Sequence, residues 1–222
     1  IAYTKVCELE DRSPNLVSIH GGGPTGKERI CYVISHLAGH GFSSVSFDVS
    51  GHGESSGHMK GSSLKKRVFE SREVIKQTQM DFPITLIGTS MGGHIALELL
   101  PHVPVKNLIL FCPALYSKEA FAIPFGSGFT EIIRKKNSFE ETGILENLKT
   151  FTGNLLLITA EHDEIIPGRV IDLYWNHTMN VSSKKHIRLK ETPHVIHGWA
   201  EKNPDVKTLI LSEVTAFLKP TP

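Results

Sequence analysis

Short apolar runs alternate along this chain with segments whose apolar positions recur every three or four residues. The runs predict strands at Leu16–His20, Phe42–Asp48, Ile84–Gly88, Asn107–Phe111, Leu155–Thr159 and His186–Lys190, with Tyr3–Glu8 as a weaker edge strand. Several, such as NLILF and LLLIT, are almost continuously apolar. That is the composition a parallel strand needs when both of its faces are covered. Between the strands, Ile30, Val33, Ile34, Leu37 and Ala38 follow the stripe of an amphipathic helix, which Gly39 stops. Ile95, Ala96, Leu99 and Leu100 repeat the pattern before Pro101, and Val206, Leu209, Ile210, Val214, Phe217 and Leu218 form a closing helix. Strand and helix in alternation predict an α/β fold, a mostly parallel sheet with right-handed crossovers and helices on both faces.

One stretch breaks the rhythm. From Pro113 to about Thr150 no strand pattern appears, and Pro124, Gly126 and Gly128 interrupt the helical patches. Residues 113–150 read as a cap-like insertion over the sheet edge, and connections this long are usually functional or disordered. With no repeat, linker or second core, 1–222 read as one domain.

Composition narrows the partners. Twenty-four basic residues against 23 acidic ones leave a formal charge of +1, so no basic face for nucleic acid is implied. No apolar run reaches membrane-spanning length, and the start, IAYTKVCELED, lacks signal architecture. Cys7, Cys31 and Cys112 form neither a disulfide framework nor a zinc pattern, and each reads as a small packed hydrophobe. A cytoplasmic location is expected on that ground, with a trimmed leader left open because no Met begins the sequence. Oligomeric state is not legible.

The first candidate for chemistry is Gly88-Thr89-Ser90-Met91-Gly92, a G-x-S-x-G turn with a predicted strand before it and a helix after it. That context lifts one hydroxyl clear of the sheet, while the glycines let neighbouring backbone come close. A serine needs a base, and the base needs an orienting carboxylate. Asp163 follows the strand in LLLITAEHDEIIP, and His194 follows the last predicted strand in HIRLKETPHVIHGW. Both lie at strand C-terminal ends, where open α/β sheets place their sites, and in the order Ser, acid, His. A developing oxyanion needs backbone donors. Met91, after the nucleophile, offers one, and His20-Gly21-Gly22-Gly23, after an early strand, offers the loop for the other.

That glycine loop also fits G-x-x-x-x-G-K from Gly21 to Lys27, a phosphate-cradling pattern, but Glu28 stands where a magnesium-binding hydroxyl is required. Glu28 reads instead as a solvent-facing residue in the first turn of the next helix.

Together HGGGPTGK, FDVSGHGESSG, GTSMGGHIAL, LLLITAEHDEIIP and PHVIHGWAEKNPDV resemble the α/β-hydrolases of the monoglyceride-lipase and serine-aminopeptidase-like group. The resemblance implies an α/β-hydrolase fold and a serine hydrolase acting on a small-molecule acyl ester. It implies Ser90 as nucleophile, Asp163 as acid, His194 as base, Gly22 and Met91 as oxyanion donors, and no cofactor. A peptidase or thioesterase would use the same machinery, and a non-catalytic binding protein of this fold is a reading of another class. The insertion is shorter than the family's lipid-binding caps often are. With Phe121, Phe125 and Phe129 it predicts a shallow apolar pocket for short or medium acyl chains.

The remaining candidates read blandly. Twelve histidines do not make a metal site, because His194 and His197 have no carboxylate at ligand spacing on a shared helix. His197 is the rival base, expected instead to pack or hydrogen-bond locally. His20 and His52 are expected to bond backbone, and Asp48 to hold the GHGES turn. Lys65-Lys66-Arg67 and Arg134-Lys135-Lys136 read as solvated helix faces.

Overall fold

The structure, a computed structural model, describes residues 1–6 and 13–218. Among the described residues seven strands form one sheet: β1 (Ala2–Val6), β2 (Leu16–Ile19), β3 (Ser44–Asp48), β4 (Ile84–Thr89), β5 (Val105–Phe111), β6 (Asn154–His162) and β7 (Ser183–Pro193). Their spatial order is β1-β3-β2-β4-β5-β6-β7. The six strands from β2 to β7 pair in parallel, and β1 runs antiparallel against β3 at one edge. Of the expected first strand, Cys7 and Glu8 lie outside the described residues.

The apolar runs are continuous because alternate residues feed two cores. Val17, Phe47, Leu86, Leu108, Leu110, Leu155 and Leu157 face one core. There α2 (Leu64–Gln77), α3 (Met91–Leu99), α5 (Leu145–Thr150) and α6 (Gly168–His177) supply the opposite wall. Leu16, Ile87, Ile109, Phe111, Leu156 and Ile158 face the other core, against α1 (Cys31–Ala38), α7 (Ile196–Ala200) and α8 (Pro204–Leu218). Period-two alternation with both faces apolar is the buried parallel strand in its simplest form. Residues 113–150 hold α4 (Ser127–Arg134), α5 and two short 3-10 turns, and no strand.

Three features depart from the sequence expectation. The last strand is longer at both ends than His186–Lys190, because as an edge strand it is largely solvent-facing and its Ser, Lys and Glu positions carry no apolar period. The apolar stripe of α2 is partly hidden, since its buried face mixes Leu64, Val68 and Val74 with Arg67, Glu70 and Ser71. Cys31 is exposed rather than packed, its side chain lying at the solvent face of α1, whereas Cys112 is buried.

The turn after β3 is held by one carboxylate. Asp48 accepts from the Lys27 amide at 2.7 Å, from Lys27 Nζ at 2.7 Å and from the Glu54 amide at 3.1 Å. A Cβ on Gly26 would come within 2.0 Å of Asp48 Oδ1, so only glycine lets that loop close over the carboxylate. Burial raises the carboxyl pKa, but the lysine and the two amides outweigh it and hold it below the ordinary value. Lys27 also pairs with Glu54, so its ammonium is committed to this lock, and Glu28, exposed, caps the Gly26 amide at 2.9 Å. Asp48→Ala, which strands Lys27 and two amides, is expected to cost about 3 kcal/mol of unfolding free energy in urea titration. A loss under about 1 kcal/mol would show that the lock is solvated and contributes little.

Candidate active site

The site grows from the end of β4. Ser90 stands between β4 and α3 with φ 51° and ψ −114°, a conformation an L-residue adopts only when its surroundings impose it. They do. The Ser90 amide donates to Phe111 O at 2.9 Å, and Ser90 O accepts from Gly93 and Ala114 at 2.9 and 3.0 Å. The glycines on either side allow the contact: a Cβ on Gly92 would lie 2.1 Å from Ile19 O, and one on Gly88 would lie 2.6 Å from Gly92 O.

The structure brings Ser90, His194 and Asp163 into one chain of hydrogen bonds. His194 Nε2 is 3.1 Å from Ser90 Oγ, and His194 Nδ1 is 2.8 Å from Asp163 Oδ2. Asp163, just after β6, also accepts from the amides of Ile165 and Ile166 at 2.9 and 2.8 Å. Burial pushes its carboxyl pKa up, but the His194 bond and those amides win and bring it below the ordinary value. An ionised Asp163 accepting from Nδ1–H leaves the Nε2 lone pair turned to the serine.

The glycine loop lies over the same serine. A Cβ on Gly21 would be 3.3 Å from Ser90 Cβ, and one on Gly22 would be 2.8 Å from Met91 Cε. A cavity of about 260 Å³ opens there between Gly21, Gly22, Pro24, Ser90, His194 and Val195. Among the described residues its lining includes no carboxylate, and Arg29 is its one permanently charged side chain. Phe125 and Phe129 do not line it. They are buried in the core, ring against ring at 4.8 Å, which corrects the expectation that the insertion's phenylalanines wall an acyl pocket beside the serine.

Other expected candidates fall elsewhere. His197 is buried, bonded to Tyr32 Oη at 3.1 Å and Thr89 Oγ1 at 2.9 Å, so it ties α1 to the end of β4 and does not reach Ser90. His20 donates from Nδ1 to Gly21 O at 2.8 Å and accepts the Val49 amide at Nε2 at 3.1 Å. His52 Nε2 lies 2.9 Å from Gly23 O. Cys112 belongs to no chemical motif, yet its sulfur lies with the Asp163 and His194 donor atoms inside 4.8 Å. Burial first, then the Asp163 charge, pushes the thiol pKa well up, which keeps the proton on sulfur. Its only sequence signal is its place at the end of an apolar strand. Arg67, read as solvated, is buried beneath the glycine loop, and its place on the Leu64-Val68-Val74 stripe is the signal.

Buried imidazoles give this region a pH signature. Burial pushes His94 and His197 down to about 3 and His20 to about 4, the charges of Arg29 and Arg67 adding to the effect at His197 and His20. The unfolded chain protonates its histidines below about 6.5 while the folded one does not. The unfolded state then binds more protons, so stability present above that pH is lost as pH falls towards about 4. Each ring contributes up to ~1.4 kcal/mol per pH unit. Urea unfolding at about pH 7 and about pH 5 should show the loss, and His94→Gln should flatten the slope by close to one proton. An unaltered slope would mean that His94 is already charged in the fold.

Residues 11–138 match the family described as serine aminopeptidase, S33. The chain is 24% identical over 226 residues to lysophosphatidylserine lipase ABHD12 of Xenopus tropicalis, an alignment covering 91% of this chain and 58% of that protein. It thus spans little more than half the length of that relative. Among solved structures, the esterase EaEST of Exiguobacterium antarcticum superposes with a TM-score of 0.66 at 20% identity, over 94% of this chain and 93% of that one. A monoacylglycerol lipase of Paleococcus ferrophilus gives 0.65 at 19% identity, over 94% and 98%. At those identities the structures speak for the fold, and the family match for membership. The chain belongs to the serine aminopeptidase S33 family and carries the α/β-hydrolase fold of the esterase- and lipase-like hydrolases.

Proposed function

We propose that this chain is a serine hydrolase that cleaves a carboxylic ester. The observation that carries the reading is the unbroken hydrogen-bond chain from Ser90 through His194 to Asp163 at the rim of a cavity. Ser90 Oγ attacks the carbonyl carbon and His194 Nε2 takes its proton, while Asp163 fixes the tautomer and stabilises the imidazolium. The amides of Gly22 and Met91 receive the negative charge on the carbonyl oxygen. Collapse of the tetrahedral adduct expels the alcohol with the proton from His194, and water repeats the sequence on the acyl-enzyme. Residues 1–222 act as one catalytic domain, with 113–150 as its cap. The reaction needs no metal or organic cofactor, and we place it in the cytoplasm.

Charge supports an ester over an N-terminal aminoacyl amide. An α-ammonium group asks for a carboxylate partner, and the described cavity lining has none, offering Arg29 instead. The Xenopus relative's name, a lysophosphatidylserine lipase, also denotes a lipase. A cavity of about 260 Å³ suits short or medium acyl groups better than long ones. Among the described residues no helix is long and apolar enough to cross a membrane.

Two measurements test this. A fluorophosphonate should label the chain once, on the tryptic peptide holding Ser90, and not label Ser90→Ala. In a panel of acyl esters, thioesters and aminoacyl amides, the esters should be turned over fastest. Labelling that persists in Ser90→Ala would remove the nucleophile, and faster amide cleavage would remove the ester.

The base is tested separately. His194→Ala should lower kcat/KM on the order of 10⁴-fold or more in a folded protein. His197→Ala loses two buried bonds and with them stability, but its folded fraction should keep activity within about tenfold. Exchanged phenotypes would make His197 the base.

A further inference from the structure

The basic run in α2 splits in the structure. Lys65 and Lys66 face solvent, while Arg67 turns inward and is 1% exposed. A buried guanidinium ordinarily rests against a carboxylate. Among the described residues none lies within ion-pair distance of this one, and Glu70, one turn on, bonds the Ser50 amide and hydroxyl instead. Arg67 donates to Gly21 O at 3.2 Å and Met91 Sδ at 3.1 Å and lies 3.2 Å from His52 Nε2, with the Phe125 ring 4.8 Å from its central carbon. Its Nε has no hydrogen-bond partner among the described residues. Such a placement costs free energy that a solvated position would avoid, so the bonds it does make matter.

The bond to Gly21 O has a geometric consequence. The Gly21 carbonyl and the Gly22 N–H belong to one peptide unit, planar and trans, so they point in opposite directions. A single hydrogen bond to the oxygen would let that plane rock about the chain. Two donors arrive from different elements, His20 Nδ1 at 2.8 Å and Arg67 Nη1 at 3.2 Å, and occupy both lone pairs. The plane is fixed, and with it the direction of the Gly22 N–H. Donation into the carbonyl, from a charged donor above all, also makes the N–H of the same amide a stronger donor. The Sδ contact sets the same guanidinium against Met91, whose side chain packs on Gly22 and whose amide is the second proposed donor.

We propose that Arg67 is the positioning residue of the oxyanion hole, holding the Gly21–Gly22 peptide so that the Gly22 N–H faces the reacting carbonyl at Ser90. The proposal rests on the hydrolase reading above. Arg67 touches no substrate. It acts through Gly22 and Met91, so its removal weakens the transition state and leaves the ground state alone.

The test compares the full chain as wild type, Arg67→Lys and Arg67→Met on p-nitrophenyl butyrate, with two inhibitors. An alkyl trifluoromethyl ketone accepts Ser90 Oγ at its carbonyl carbon, the serine proton passing to His194 and the ketone oxygen becoming an alkoxide in the oxyanion hole. The matching methyl ketone binds largely without addition and reports the ground state. Arg67→Met should lower kcat about 10²-fold, the scale of one lost oxyanion donor, with KM within about threefold. Its affinity for the trifluoromethyl ketone should fall by a similar factor and that for the methyl ketone should not. Arg67→Lys, which keeps charge and one donor, should recover at least a tenth of wild-type kcat. If thermal unfolding shows that Arg67→Met does not fold, the lysine variant decides, its smaller loss appearing in kcat and trifluoromethyl-ketone affinity together at constant KM. An unchanged kcat, a loss confined to KM, or equal weakening of both ketones overturns the proposal. Wild type that neither hydrolyses the ester nor labels at Ser90 fails the hydrolase reading itself, and does so before any Arg67 variant is compared.

Discussion

The sheet edge that carries Ser90 depends on the register between β2 and β4. Ile19 lies opposite Gly88, so the two parallel strands end at one height and their following loops meet. Were β2 to slip by one residue, its side chains would exchange faces and Val17 would leave one core for the other. The same register lets Gly92 press against the Ile19 carbonyl and brings the Gly21 backbone to Ser90. Phe111, at the end of β5, then receives the Ser90 amide and supports the strained turn from the other side. Three strands therefore fix one hydroxyl.

Beneath that edge the chain keeps a polar nest that an ordinary core would exclude. His20, His52, Arg67 and Glu70 cluster where β2, β3 and α2 meet, all buried. The two imidazoles have lowered pKa values, by burial first and the guanidinium next, so one cation stands among neutral rings that exchange hydrogen bonds with loop backbone. Burial lowers the Arg67 pKa itself only to about 10, and it remains charged at neutral pH. Such a nest trades stability for direction: each group satisfies a backbone polar atom of the loops after β2 and β3, and fixes where those loops can go.

The sheet was legible because its central strands are covered on both faces, and a short uninterrupted apolar run such as NLILF fits a strand buried between two layers of helices. Ser90, Asp163 and His194 were legible for a different reason: each sits where a strand ends, and strand ends can be read even when loops cannot. Legibility failed where a polar residue is buried or an apolar one is spent on packing. Arg67 hid among lysines, because charge in a helix suggests water unless its neighbours on the stripe are counted. Phe125 and Phe129 suggested a binding pocket, yet the core claims them, and a sequence does not say which side of a loop an aromatic ring will take. At the far edge β7 left few signs, since a strand paired on one side has little apolar alternation to show.

The approach of Gly92 to Ile19 changes what the pentapeptide around Ser90 means. Written out, it is five neighbouring residues and reads as a local instruction. Physically its fifth position answers to a carbonyl on another strand, and its serine amide to a third. Isolated in an unfolded or partly folded chain, the same five residues would relax out of positive φ at Ser90, because nothing there opposes the relaxation. The bent turn is therefore an outcome of sheet assembly, acquired only after long-range pairing has been made and the associated loop entropy spent. The geometry at Ser90 reports on the whole central sheet, and a chain that had folded everything except β2 would carry the motif without the bent turn.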